Sequence, residues 1–140
     1  MPTLFTRIID GDIPGTFVWS DDLCVGFMSI APLSPGHTLI VPRREVDHWL
    51  DLTSEELSHL TGVSQTVGRA IQSAFDPVKV GMMIAGLEVP HVHIHVVAIK
   101  TEADLDFANA DTSAALEDIA NAADRIRQQL VAMGRSEVFG

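Results

Sequence analysis

Short apolar runs, interrupted by residues that favour turns, occupy most of the first hundred residues. Runs of this length, bounded by Gly, Pro, Asp and Ser, are typical of β-strands. Asp21 and Asp22 form a turn between the first two runs, and a breaker-rich loop at residues 32–37 precedes the third. The pattern predicts five strands, at residues 16–20, 23–30, 38–42, 78–85 and 91–99.

Two helices are predicted before and between these strands. Leu4–Asp10 is expected to form a short helix with Thr3 as its N-cap. A longer helix opens at Thr53, because Thr53 and Glu56 have the spacing of a capping box, and it ends before Pro77. One face of this helix is apolar at three- and four-residue spacing, at Leu57, Leu60, Val63, Val67 and Ile71.

The tail of the chain carries a second long helix, from about residue 111 to residue 133, which Gly134 ends. Its apolar side is expected at Leu116, Ile119, Ala123, Ile126 and Leu130. Strand pairs followed by helices indicate an α+β fold, in which helices pack against an antiparallel sheet. With 140 residues and no internal repeat or linker, residues 1–140 are expected to form one domain.

The composition limits the partners and the compartment. A formal net charge of −10 argues against a general surface for nucleic acid or for an acidic membrane. Apolar runs fall short of the roughly 20 residues that span a bilayer, and the N-terminal residues lack the order of a secretory signal. Cys24 is the single cysteine and is expected to be a buried apolar residue. We therefore expect a cytoplasmic protein with no membrane or nucleic-acid partner.

Three of the six histidines occupy alternate positions in the last predicted strand. Because successive side chains of a strand point to opposite faces, His91, His93 and His95 are expected to share one face. The apolar residues between them then face the core. Three interpretations fit this pattern: an exposed polar face, a metal site, or a catalytic device built from groups that titrate near neutral pH.

Backbone distance weighs against a zinc site built from the three histidines alone. At about 3.4 Å per residue, His91 and His95 lie about 13 Å apart along a strand, whereas a Zn–N bond is about 2.0–2.1 Å. Two neighbouring histidines could share an ion if His37, Glu88 or another ligand approached. The catalytic interpretation uses the spacing directly, because a central imidazole can attack phosphorus while its neighbours handle protons and negative charge.

The order His-apolar-His-apolar-His-apolar-apolar at residues 91–97 resembles the motif of the histidine triad superfamily of nucleotide hydrolases and transferases. The resemblance extends to LFTRIIDGDIP at 4–14, VGFMSIAPLSPGHTLIVPR at 25–43 and the helix start LTSEEL at 52–57. It covers roughly residues 4 to 99, and the tail after about Phe107 lies outside it. It implies a five-stranded antiparallel sheet with two main helices, a homodimer, and chemistry that needs no cofactor or metal.

The resemblance also implies a role for each histidine. His93 is expected to attack the α-phosphorus of a nucleotide conjugate and to form a nucleotidyl-histidine intermediate. His95 would contact the phosphate or the leaving group, and His91 with His37 would complete a hydrogen-bonded relay. The bound purine nucleotide or nucleotide conjugate would contact Leu4, Phe5, Ile8, Phe27, Ser29, Ile30, Leu39 and Glu88. Without the resemblance, the apolar members of this set are ordinary core residues. His48 and His59 match nothing in the family motif and are expected at the surface.

The chain departs from the family pattern near the expected phosphate. Ser29 stands where many relatives carry an acidic residue that grips both ribose hydroxyls. Leu87 and Glu88 replace an amide and a hydroxyl that would donate to phosphate, and Ala98 and Ile99 replace a Pro-Arg pair of polyphosphate-cleaving members. Each change removes a donor or a positive charge. The departures favour phosphoramidates or small monophosphate conjugates over long polyphosphates.

Several alternatives stay open from the sequence. The protein is expected to be an enzyme, a nucleotide hydrolase or nucleotidyl transferase acting through His93, because a pure binder has no need of the central imidazole. The alternatives are a nucleotide-binding module of the same fold with little turnover and, less favoured, a zinc-dependent hydrolase. Glu88 either points to solvent, pairs with a triad histidine and raises its pKa, or meets a cationic leaving group such as an amine.

Overall fold

Five antiparallel strands form one sheet in the computed structural model, which describes residues 2–139. Neighbouring strands follow the order β1-β2-β3-β5-β4, so β4 and β1 are the edge strands. The strands are β1 Phe17–Ser20, β2 Cys24–Met28, β3 Thr38–Pro42, β4 Lys79–Met83 and β5 Ile94–Ile99.

Three helices accompany the sheet: α1 Leu4–Ile9, α2 Ser54–Phe75 and α3 Leu116–Ala132. Thr3 caps α1, and Thr53 with Glu56 forms the capping box of α2, both as predicted. The α+β fold with a five-stranded antiparallel sheet and two main helices is therefore confirmed. Within residues 2–139, every helix is too short or too polar to cross a membrane.

Side chains of the central strands are buried on both faces of the sheet. On one face, Met28 and Ile40 pack with the apolar sides of α2 and α3 in the larger core cluster. On the other face, Phe27 and Leu39 pack with Phe5 of α1 in a second cluster. Burial on both faces explains why these strands are almost wholly apolar in the sequence, and it places α1 on the face opposite the long helices.

The last strand starts later than the sequence pattern predicts. Pairing between β3 and β5 begins with Ile40 opposite Ile94, so His91 and His93 precede the strand instead of lying in it. The Val92 amide donates to Val46 O, and the His91 amide donates to Val89 O. The backbone of residues 91–93 is therefore held by a neighbouring loop and a turn, which hydrophobic alternation cannot distinguish from a strand ladder.

Helix α3 also begins later than predicted, at Leu116 instead of about residue 111. The Asp111 amide donates to Pro32 O, and the Asp111 carboxylate accepts from the Ser113 amide and hydroxyl. These bonds hold the preceding residues in a turn. Leu116 is 77% exposed and lies outside the buried side of α3, where Ile119, Ala123, Ile126 and Leu130 are found as predicted.

The C-terminal residues cover one edge of the sheet. Ser20 N donates to Glu137 O, Phe139 N donates to Val18 O, and Val138 forms a bridge with Trp19 of β1. Arg127 of α3 donates to the carbonyl oxygens of Phe17 and Phe139 and so links β1 to the C-terminal segment. The β1 edge is thus paired within the protein, while β4 lies at the other edge.

Candidate active site

The four histidines expected to act together do meet in the structure. His37 immediately precedes β3, His91 and His93 precede β5, and His95 lies within β5 opposite Leu39. None of these four side chains is more than 7% exposed. The interpretation of the triad as an exposed polar face is therefore wrong.

His91 is held by hydrogen bonds on both ring nitrogens. Its Nε2 lies 2.7 Å from Pro42 O, which can only accept, so Nε2 carries the proton. Nδ1 therefore accepts from the Thr3 hydroxyl at 2.7 Å. Burial lowers the pKa of His91, although the Pro42 carbonyl and the charge of Glu45 oppose this effect. His91 is thus a neutral imidazole with a fixed tautomer.

The tautomer of His93 follows from the backbone of His91. His93 Nδ1 lies 2.8 Å from His91 O, so Nδ1 donates and Nε2 keeps its lone pair. Burial lowers the pKa of His93, opposed by this hydrogen bond and by the negative charge of Glu88. A neutral ring with an unprotonated Nε2 is the form of histidine that can act as a nucleophile.

His37 and His95 form a second hydrogen-bonded chain. The Leu33 amide donates to His37 Nδ1 at 3.0 Å, so the proton of the neutral His37 ring is on Nε2. That N–H donates to His95 Nδ1 at 2.9 Å, which leaves the proton of His95 on Nε2. Burial, with the positive charge that His93 can carry, lowers the pKa of His37 to about 4 and that of His95 to about 3.

These two chains give the site one lone pair and one donor, on neighbouring rings. His93 contributes the lone pair of Nε2 and His95 contributes Nε2–H, and the two ring centroids are 4.8 Å apart. The predicted hydrogen-bonded relay consists of two separate pairs. His37 bonds His95 through ring nitrogens, whereas the backbone carbonyl oxygen of His91 bonds the ring of His93. This arrangement can attack an electrophile and donate a hydrogen bond beside it.

Four of the predicted nucleotide-contacting residues form one buried cluster on the α1 face of the sheet: Phe5, Ile8, Phe27 and Leu39. The Phe5 ring centroid lies 4.9 Å from that of His93 and joins this cluster to the triad. Leu4 is 46% exposed and Ile30 is 78% exposed, so both lie at the surface and outside the cluster. The Ser29 hydroxyl accepts from the Ala31 amide, and the Ser29 amide donates to His37 O.

Glu88 lies in the exposed loop before the triad, next to the fully exposed Leu87. Its negative charge is close enough to His93 to oppose the lowering of the pKa of that ring. Gly86 gives the loop a positive φ of 77°, a conformation that favours glycine. Glu88 therefore combines solvent exposure with an electrostatic effect on the triad.

Two side chains that contact the triad were not expected from the sequence. Thr3 was predicted only as a helix cap, yet its hydroxyl also bonds His91. Phe107 lies beyond the segment that resembles the family, and its ring centroid is 5.0 Å from that of His95. No local signal in the sequence points to either contact, because each joins residues that are far apart in the chain.

A metal-ligand arrangement lies away from the triad. The potential ligand atoms of Asp21, Cys24 and His59 lie within 4.8 Å of one another, the single group of this kind in the described part of the chain. Burial alone would raise the pKa of Asp21. Hydrogen bonds from the Trp19 indole, two backbone amides and His59 outweigh the effect of burial, and the pKa of Asp21 is lowered to about 2. Burial and the charge of Asp21 raise the pKa of the Cys24 thiol. A protonated thiol and an already bonded carboxylate are poor ligands. His59, expected at the surface, is partly buried by this contact.

The HIT domain profile matches residues 10–102, about two thirds of the chain. The chain belongs to the histidine triad family. A HIT-like protein of Methanocaldococcus jannaschii is 34% identical over 98 residues, which cover 67% of this chain and 76% of that protein. The bifunctional bis(5'-adenosyl)-triphosphatase/adenylylsulfatase FHIT of Arabidopsis thaliana is 34% identical over 92 residues, covering 62% of this chain and 51% of that protein.

Among solved structures, the chain is similar to a Hit-like protein from Bartonella henselae. The TM-score is 0.78 and the sequence identity 27%, and the alignment covers 91% of this chain and 96% of the other. The expected family membership is thus confirmed. The profile match ends at residue 102, so Phe107 and α3 lie beyond the part of the chain that the family profile describes.

Proposed function

We propose that this protein is a nucleotide-conjugate hydrolase or nucleotidyl transferase that acts through a covalent intermediate on His93. One observation carries the proposal: His93, whose Nε2 is free, and His95, whose Nε2 carries a proton, are buried neutral rings with centroids 4.8 Å apart. Hydrolases among the relatives support a hydrolase function, since the Arabidopsis relative is named a bis(5'-adenosyl)-triphosphatase and adenylylsulfatase.

The proposed reaction has two displacements at the α-phosphorus. In the first, His93 Nε2 forms a bond to phosphorus while the bond to the leaving atom breaks, and His95 Nε2–H donates a hydrogen bond to that leaving atom. In the second, water breaks the His93–phosphorus bond, or another acceptor does so in a transfer reaction. Over both steps of hydrolysis, the leaving atom takes up one proton from solvent as its bond to phosphorus breaks, and the water of the second step gives its hydroxyl to phosphorus and returns one proton to solvent.

The surroundings of the triad support a purine nucleotide conjugate with a small leaving group. Phe5 of the buried apolar cluster packs against His93, so a base bound at this end of the site would lie against apolar side chains. Ser29 offers one hydroxyl for a ribose. The loop before the triad contributes Glu88 instead of a cation, and a carboxylate near a polyphosphate weakens its binding. We therefore infer that phosphoramidates or monophosphate conjugates are preferred over dinucleoside polyphosphates.

A trapped intermediate tests this function. The native protein is mixed with an adenosine 5′-phosphoramidate, quenched, and analysed by mass spectrometry. We expect an added adenylyl group on His93, a burst of amine release, and loss of both in His93→Ala. His48→Ala, which replaces an exposed histidine outside the triad, is the matched control and should keep both.

Three other outcomes would contradict the proposal. Tight nucleotide binding without turnover or adduct would favour a binding module of the same fold. Activity that is lost with a chelator and restored by zinc would favour a metal-dependent hydrolase. Faster cleavage of dinucleoside polyphosphates than of phosphoramidates would overturn the preferred substrate class.

We also propose a homodimer formed through β4 and α2. Strand β4 is a sheet edge, and an edge strand offers unpaired backbone groups to another chain. Met82 of β4 is 53% exposed. An open cavity of about 720 Å³ lies between α2 and this edge, lined by Ser58, Gln65, Arg69, Val80 and Met82 among others. A second copy of the chain would cover both the edge and the cavity.

A further inference from the structure

Phe107 is a partly exposed aromatic residue in direct contact with the proposed site. Its ring meets that of His95 at a centroid distance of 5.0 Å and an interplanar angle of 62°, and the residue is 39% exposed. It stands beyond residue 102, where the family profile ends. Phe107 therefore joins a contact with His95 to partial solvent exposure, outside the segment that the family profile describes.

Successive ring contacts place Phe107 at the end of a row. The centroid distances are 5.4 Å from Phe27 to Phe5, 4.9 Å from Phe5 to His93, 4.8 Å from His93 to His95, and 5.0 Å from His95 to Phe107. The two proposed catalytic rings are therefore central, with the apolar cluster at one end and Phe107 at the other. If the base lies against the Phe5 end, the group that leaves beside His95 lies at the Phe107 end.

Hydrogen bonds fix the segment that carries Phe107. The Asp106 carboxylate accepts from the Ala108 amide, and the Asn109 side chain donates to Ala103 O. The Asp111 amide donates to Pro32 O in the loop before His37. Phe107 is thus held in place before a substrate binds, and a contact made with a pre-positioned aromatic ring costs little ordering entropy.

The charge of this segment restricts what can bind there. Residues 100–111 contain four carboxylates, at Glu102, Asp104, Asp106 and Asp111, and one cation, Lys100. A leaving group that carries further phosphates is repelled by this charge, whereas a neutral or cationic group is not. An aromatic or aliphatic substituent gains apolar contact with Phe107.

We propose that Phe107 determines leaving-group specificity, by packing against an aryl or alkyl substituent on a neutral or cationic amine or alcohol that departs from the α-phosphorus beside His95. This inference rests on the proposed function, and it assigns the substrate's second half to a segment outside the family profile. Phe107 contacts the substituent and takes no part in the displacement itself.

The test compares two adenosine 5′-phosphoramidates that differ in the amine, one with methylamine and one with 2-phenylethylamine. We expect the native protein to show a kcat/KM about tenfold higher for the phenylethyl substrate. Phe107→Ala should abolish this preference by lowering kcat/KM for the phenylethyl substrate far more than for the methylamine substrate, and Phe107→Leu should keep part of the preference. Met133→Ala, which truncates a residue of equal exposure at the end of α3, is the control and should keep the full preference.

The outcomes separate the inference from the function on which it rests. Turnover with the same substrate ratio in the native protein and Phe107→Ala overturns the inference alone. An equal loss for both substrates also overturns it, because Phe107 then acts only by supporting His95. Absence of turnover and of a His93 adduct with either substrate overturns the proposed function, and the inference with it.

Discussion

Backbone atoms place the protons on the buried imidazoles of this site. Pro42 O accepts a hydrogen bond from His91 Nε2–H, His91 O accepts one from His93 Nδ1–H, and the Leu33 amide donates to His37 Nδ1, which places the proton of His37 on Nε2. Carbonyl and amide groups have a single role as acceptor or donor. The nitrogen that carries the proton is therefore defined on each ring. Burial lowers the pKa of all four histidines, so the rings are neutral at pH 7.

The first prediction concerns the pH dependence of kcat/KM, which reports the free enzyme. His93 must be unprotonated at Nε2 to attack, and burial lowers its pKa from the ordinary value of 6.5. A lowered pKa keeps the neutral form down to more acidic pH, so activity should be constant at neutral pH and fall only below pH 6.5. Rates between pH 4 and 9, with an NMR titration of His93, measure this. An acid limb at or above pH 7 would contradict the assignment.

At the scale of elements, α1 is linked to the triad through its N-cap residue, Thr3. Thr3 Oγ1 accepts from the Thr6 amide and donates to His91 Nδ1, and the Thr3 amide donates to Glu45. Thr53 has the same capping role at α2 without a contact to a histidine. Replacing Thr53 therefore removes a helix cap alone, whereas replacing Thr3 removes a helix cap and the hydrogen bond to His91.

The second prediction uses this pair in urea unfolding. Thr53→Ala should lower the free energy of unfolding by about 1 kcal/mol, the usual cost of a lost N-cap. Thr3→Ala should lower it by about 2–4 kcal/mol, because the unbonded Nδ1 of buried His91 adds about 1–3 kcal/mol. Thr3→Ser should retain most of the stability. Of the two alanine variants, only Thr3→Ala is expected to reduce kcat/KM. If both variants change stability and kcat/KM equally, the hydrogen bond between Thr3 and His91 contributes to neither.

For the whole molecule, the two edges of the sheet differ. The β1 edge is paired with Glu137–Phe139, and the β4 edge carries exposed apolar surface next to the cavity along α2. The asymmetry supports the proposal that a second copy binds at β4.

The third prediction tests that interface by light scattering coupled to size-exclusion chromatography. The native protein should have the mass of two chains. Met82→Lys should have the mass of one, because a lysine on β4 places two like charges across the proposed twofold contact. Val131→Lys, at an exposed position on α3, should remain dimeric. A monomeric native protein, or a dimeric Met82→Lys variant, would exclude this interface.

Much of the fold follows from local patterns in the sequence. The run at Thr38–Pro42 becomes β3 with the predicted bounds, and the capping box at Thr53 starts α2 where predicted. Both signals come from residues close together in the chain. The start of β5 was misplaced because alternation continues through His91 and His93, where the backbone bonds to Val46 instead of β3.

The sequence by itself determined most of the secondary structure, the identity of the triad and the family, since periodicity, caps and the histidine spacing are local properties. Only the tertiary structure decided which nitrogen of each imidazole is free, because Pro42 O lies 49 residues from His91 and Thr3 lies 88 residues from it. It also decided that Phe107 contacts His95. Such contacts depend on how distant elements pack, and buried backbone atoms that fix protons have no signature in the sequence.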